Sequence, residues 1–129
     1  MIRVYRFDTI TTTGADGSAA GTATSTYPIV GEIKSIHVDY VNQPATTDVT
    51  IATVHAPILT ILTLTDNNTD GWKHPRAIMH DAAGVAVTYD GTNEIYGCVY
   101  VNGYVKVTVA QADGAGGDET VAVTLVYED

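Results

Sequence analysis

Val99-Tyr100-Val101-Asn102-Gly103-Tyr104-Val105-Lys106-Val107-Thr108-Val109 is the stretch on which the fold turns. Valines stand at every second position on both sides of an Asn-Gly pair, a two-residue period that belongs to strands and not to helices. Asn-Gly is a strong hairpin signal, because a two-residue type I′ turn needs positive φ at both positions. The spacing predicts a hairpin in which Val101 faces Tyr104, Tyr100 faces Val105, Val99 faces Lys106 and Cys98 faces Val107. Tyr96, Cys98, Tyr100, Val105, Val107 and Val109 then share the expected core face. Gly97, Val99, Val101, Tyr104, Lys106 and Thr108 take the other.

Working outward, the same period marks further strands at Ile2 to Phe7, Thr22 to Val30, Glu32 to Val41, Val49 to Val54, Ile58 to Thr65, Ala77 to His80, Val85 to Tyr89, Glu94 to Val101 and Glu119 to Tyr127. Turn residues separate them: Gly31, Asn42-Gln43-Pro44, Ala56-Pro57, Asp66 to Gly71, Ala83-Gly84, Asp90-Gly91 and Asp113 to Gly117. No stretch carries a helical apolar period, so crossover helices are not expected and the strands should pair antiparallel. The predicted fold is all-β, a two-sheet antiparallel β-sandwich of jelly-roll-like type, with a closed barrel as the alternative. Residues 9 to 26 hold almost no large apolar side chain. With strand Ile2 to Phe7 they read either as an extended N-terminal arm over residues 1–26 that packs on a neighbour, or as a first strand followed by a loose loop.

At 129 residues the chain fits a single domain, residues 1–129, able to bury a core without staples. Cys98 is the one cysteine, which excludes an intrachain disulfide framework. The chain has 15 acids against 6 bases, a net charge of −9, which argues against nucleic acid and anionic membrane as partners. No apolar run reaches the ~18 residues that span a bilayer. No apolar leader precedes Asp8, so nothing is expected to direct secretion.

Side chains that carry chemistry are dispersed. Asp66, Asn68 and Asp70, with Gly71 following, match the first half of a calcium loop, but position 12 is Ala77 where a bidentate Glu is needed. An Asx-rich turn is the better reading, and these three are weak metal candidates only. His37, His55, His74 and His80 form no zinc spacing. His37 and Asp39 share a strand face, a weak sign of a dyad. Cys98 is expected among apolar neighbours, without a stabilised thiolate. No nucleophile elbow, P-loop or dinucleotide fingerprint is present, so neither an enzyme nor a cofactor is expected. Trp72, the only tryptophan, follows the Asx loop and suits an interface, a stacked sugar or a cover over the core. Arg3, Arg6 and Phe7 of the first strand, together with Trp72, are the expected interface residues.

Taken together, Gly31 to Tyr40, Gln43 to Ile51, Thr65 to Trp72, His74 to Arg76, His80 to Gly84, Tyr89 to Thr92 and Gly103 to Ala110 resemble small structural proteins encoded among the head genes of tailed bacteriophages. The likeness covers about residues 30 to 127 and is one of strands and turns, without a site motif to carry over. It implies a virion component assembled in the host cytoplasm: a capsid decoration (cement) protein on the capsid exterior, bound to major capsid protein, often as a homotrimer. A glycan-binding β-sandwich module on a phage head or tail fibre, reading sugars through Trp72 and nearby tyrosines, is the alternative.

Overall fold

A computed structural model describes all 129 residues and contains strands but no helix. The larger sheet has the order β1 (Ile2–Arg6), β11 (Thr120–Glu128), β4 (Ile29–Val41), β9 (Tyr96–Gly103), β8 (Arg76–Ile78), with β2 (Ile10–Thr11) beside β11 and β7 (Gly71–Lys73) beside β4. The smaller sheet runs β3 (Ala19–Thr24), β10 (Val105–Ala112), β5 (Asp48–Thr53), β6 (Thr60–Leu64). Every pairing is antiparallel. The chain is thus a two-sheet antiparallel β-sandwich. One buried cluster fills it, led by Ile29, Ile33, Ile36, Val38, Val49, Ile51, Val99, Val101, Val105, Val107, Val109, Val121, Val123 and Leu125.

The expected Asn-Gly hairpin is not there. β9 and β10 lie in opposite sheets, Asn102 and Gly103 pair with Val30 and Ile29 of β4, and Asn102 lacks the positive φ that a type I′ turn requires. The cause is burial. In the hairpin register Val99 and Val101 point away from the face that holds Val105, Val107 and Val109, so one set must meet water. Crossing between sheets turns both sets into one interior, at about 1.5–3 kcal/mol per buried side chain. Gly103, at φ 152°, allows the crossing. The expected core positions Tyr96 and Tyr100 are therefore exposed, and Cys98 is half-buried.

Gly31 is no strand boundary either. β4 runs through it for 13 residues, with Gly31 at φ 141° and so close to β11 that an added Cβ would lie 2.2 Å from the Glu128 carbonyl oxygen. A bulge follows, where Val126 pairs with Ser35 but Tyr127 with Ile33. The extra residue switches the inward set from Ile29 and Ile33 to Ile36, Val38 and Tyr40, so that both ends of the strand feed the core.

The N-terminal residues do not leave the sandwich as an arm. β1 and β2 pair with β11, β3 pairs with β10, a bridge joins Thr13 to Ala20, and Ile10, Thr12, Ala19 and Ser25 are buried. Small side chains serve close approach here: a Cβ on Gly21 would lie 2.5 Å from Ile10 Cγ2. The strand expected at Val85 to Tyr89 is reduced to the isolated bridges His80–Ala86 and Thr88–Glu94, in a flap between β8 and β9 that buries no residue.

Two substitutions separate the sheet-crossing register from a hairpin. Val101→Thr, at a core position that is 1% exposed, should cost about 1–3 kcal/mol by burying a hydroxyl. Tyr100→Thr, on the outer face, should stay within about 0.5 kcal/mol. Urea denaturation checks both, and the opposite order would contradict the crossing. By the same measurement Gly31→Ala should lose about 2–4 kcal/mol, more than Gly17→Ala, where φ is positive but the space is open.

Candidate interaction surfaces

The Asx loop joins β6 to β7, and its side chains turn to different partners. Asp70 Oδ1 accepts the Tyr40 N–H at 2.7 Å, Asn68 Nδ2 donates to the Gln43 carbonyl at 2.9 Å, and the Asp66 N–H donates to Asp48 Oδ1 at 2.9 Å. The Asn68 and Asp70 side chains and the Asp66 backbone thus pin the loop to the sandwich, each on a different partner. Gln43 is the hub of this end. Buried, it donates to Thr12 Oγ1 at 2.9 Å and accepts the Asp113 N–H at 3.0 Å. Asp8, Asp16, Asp48, Asp66, Asp70, Asp113, Asp118 and Glu119 sit in the segments around it, which contain no Lys or Arg. Most of the chain's excess negative charge is therefore at one end of the sandwich.

Tyr40 packs at the same end with its hydroxyl buried and without a hydrogen-bond partner. Burial, with a smaller contribution from the Asp70 carboxylate, pushes its pKa up to about 12. Because the phenol holds its proton longer in the folded than in the unfolded chain, the associated stability is full below the ordinary value of 10.0 and declines as pH rises towards about 12.

The remaining reactive residues stand apart. Cys98 lies beside a cation and not in the apolar setting expected: Lys34 Nζ is 3.9 Å from its Sγ, and the same amine pairs with Glu32 at 2.9 Å and Glu128 at 3.7 Å. The Glu32 hydrogen bond leads in raising the Lys34 pKa. His37 packs edge-on against Trp72 with ring centroids 5.0 Å apart, and His55 against Tyr104 at 6.1 Å.

The end opposite the acidic loops has another character. Tyr27, Val30, Ile58 (66% exposed), Leu59, Tyr100 (59%) and Tyr104 all reach solvent there. A groove of about 370 Å³ runs between the Thr53–Leu59 loop and the β9–β10 crossing. Val30 and Tyr100 continue it into neighbouring shallow depressions. The loop is fixed by the Val54 N–H on the Tyr104 carbonyl and by Thr53 and Leu59 bonding each other, so its apolar side chains are held outward. Apart from Lys106 at the start of β10, the charges at this end are paired. Arg3 binds Asp129, which also meets the terminal amine of Met1, and that pairing raises the arginine's pKa and lowers the carboxylate's. Clustered exposed apolar groups with neutralised charges are the makings of a protein contact.

A second surface lies on the outer face of the larger sheet. Arg6 pairs with Thr124, Thr124 with His37 and His37 with Trp72, one row across β1, β11, β4 and β7. Of the expected interface residues the structure brings together Arg6 and Trp72, and it places Arg3 at the apolar end. Phe7 is a correction: strand alternation turns it inward with Tyr5, 4.8 Å between rings and 5% exposed, so it belongs to the core. Tyr27, Ile58, Leu59 and Tyr100 were not singled out by sequence. Ile58-Leu59 directly after a proline turn was the available signal, while the hairpin register hid Tyr100.

Tyr40→Phe should leave stability at pH 7 unchanged or slightly raised, since no hydrogen bond is lost. It should also remove part of the decline between pH 10 and 12; equal declines in the two proteins, followed by chemical denaturation, would contradict the burial argument. Compared with known proteins, the chain matches no family model and no curated sequence.

Proposed function

We propose that this chain is a non-enzymatic structural protein of a virion, a capsid decoration protein that binds the outer surface of a major capsid protein lattice and stabilises the shell, as a homotrimer. The observation that carries the reading is the polarity of the sandwich: one end exposes Ile58, Leu59, Tyr27, Tyr100 and Tyr104 with its acids neutralised by Arg3, Lys34 and the terminal amine, and the other gathers acids that have no cationic partner. A docked apolar end removes that surface from water, while the acidic end, turned outward, repels other particles and nucleic acid. The pattern resemblance over residues 30 to 127 supplies the virion context, and the strand-only scaffold supplies stiffness.

Shells lacking the protein should lose heat resistance and regain it on addition of the purified chain. Ile58→Glu with Leu59→Glu, at exposed positions that leave the core intact, should weaken shell binding by about tenfold or more. Undiminished binding by this variant, or bare shells that withstand heat equally well, would sink the proposal. Light scattering on the protein eluted from shells tests the trimer.

Exposed Trp72 (54%) in a shallow depression favours a second reading, a glycan-binding module. Trp72→Ala should then abolish glycan binding without unfolding the chain.

A further inference from the structure

We infer that the depression on the outer face of the larger sheet takes a carboxylated sugar ring, the carboxylate meeting Arg6 and the ring lying against Trp72, Val4 and Val126. This rests on the glycan-binding reading of the same site and goes further by assigning the charge of the ligand.

Three observations carry it. The depression, about 310 Å³, is lined by Val4, Arg6, His37, Trp72, Thr124 and Val126, so it contains two basic side chains and no acid in a chain of net charge −9. Asp39, two residues along β4 from His37, is outside that lining. The Arg6 guanidinium is unspent: the ion pairs of the chain use Arg3, Lys34 and the terminal amine, and Arg76 is taken up by the Pro75 and Lys34 carbonyls, but Arg6 has no partner. A planar guanidinium matches the two oxygens of a carboxylate with a pair of parallel hydrogen bonds.

The third observation is the bracing of Trp72. Its ring is held edge-to-face by His37 while remaining half exposed, so little rotamer freedom is left to lose when a ligand stacks on it. Val4 and Val126, paired across β1 and β11, add an apolar floor for the C–H face of a sugar, and in the adjacent row Thr124 lies between Arg6 and His37 with a hydroxyl for the ring's own. The volume is at the small end of ligand sites, about 300–1,000 Å³, which suits one or two rings and not a long chain of them.

Trp72 is the only tryptophan, so its fluorescence reads this depression directly. Titration with trigalacturonate should give a saturable change, with the methyl ester of the same trisaccharide about tenfold weaker or more. Arg6→Gln should bring the acid down to the level of the ester and leave the ester unchanged, and Arg76→Gln, on the same face but outside the depression, should behave as native. If acid and ester bind alike, or Arg6→Gln titrates as native does, the charge assignment fails while the glycan reading stands. If neither saccharide perturbs Trp72, both fail. If triglutamate binds as tightly as trigalacturonate, the ring is not being read, and an acidic peptide replaces the sugar as the occupant. Near-UV circular dichroism confirms that each variant keeps its packing.

Discussion

The structure depends on one constraint: the valines on both sides of Gly103 must face the same interior. Strand geometry sends neighbouring side chains to opposite faces, so a tight hairpin at Asn102-Gly103 would bury Val105, Val107 and Val109 only by exposing Val99 and Val101. Sending β9 into one sheet and β10 into the other removes the conflict. β10 then sits between β3 and β5, and β9 sits beside β4. The bulge at Lys34 and Ser35 meets the same demand within β4, since without a change of parity one half of that strand would present its isoleucines to water.

That crossing also makes the surfaces. With Val99 and Val101 turned in, Tyr96 and Tyr100 turn out, and Tyr100 becomes the residue shared by the groove beside the Thr53–Leu59 loop and a neighbouring depression. The apolar end is thus a direct consequence of how the core was satisfied. The opposite end follows another logic. Its loops are short of apolar residues and are held by side-chain amides and carboxylates on backbone groups, with Gln43 at the centre, and its acids have no cationic partner. Charge and hydrophobicity are segregated along the sandwich, and it is the segregation, more than any single residue, that gives the molecule an adhesive side.

The outer face of the larger sheet shows how antiparallel register builds a site from distant sequence. Arg6, His37, Trp72 and Thr124 have no local motif in common, yet three successive pairings bring them into one row. Trp72 is exposed because its register with His37 puts it on the outer face of the sheet, and β7 follows the Asx loop, whose Asp70 and Asn68 side chains bond to backbone groups of the sandwich. The loop that looked like half of a cation site serves as the fastening of the tryptophan.

Much was legible from sequence alone. Two-residue periodicity in Val99 to Val109 and Glu119 to Tyr127, together with the absence of any helical period, determined an all-β antiparallel sandwich, and the alternation of β10 named its core valines correctly. Local turn chemistry identified the Asx loop at Asp66 to Gly71. Tertiary structure alone decided the partner of each strand. Asn-Gly is compatible with a hairpin, but burial of five valines outweighs a local turn preference. Gly31 read as a break and proved to be where β4 and β11 come too close for a side chain; residues 9 to 26 read as loose and proved to be paired as β2 and β3, with Ile10, Thr12, Ala19 and Ser25 buried. Period fixes which side chains share a face, because that depends on backbone geometry within one strand. Which face is buried depends on what lies across from it, and that is a property of the assembled sheets.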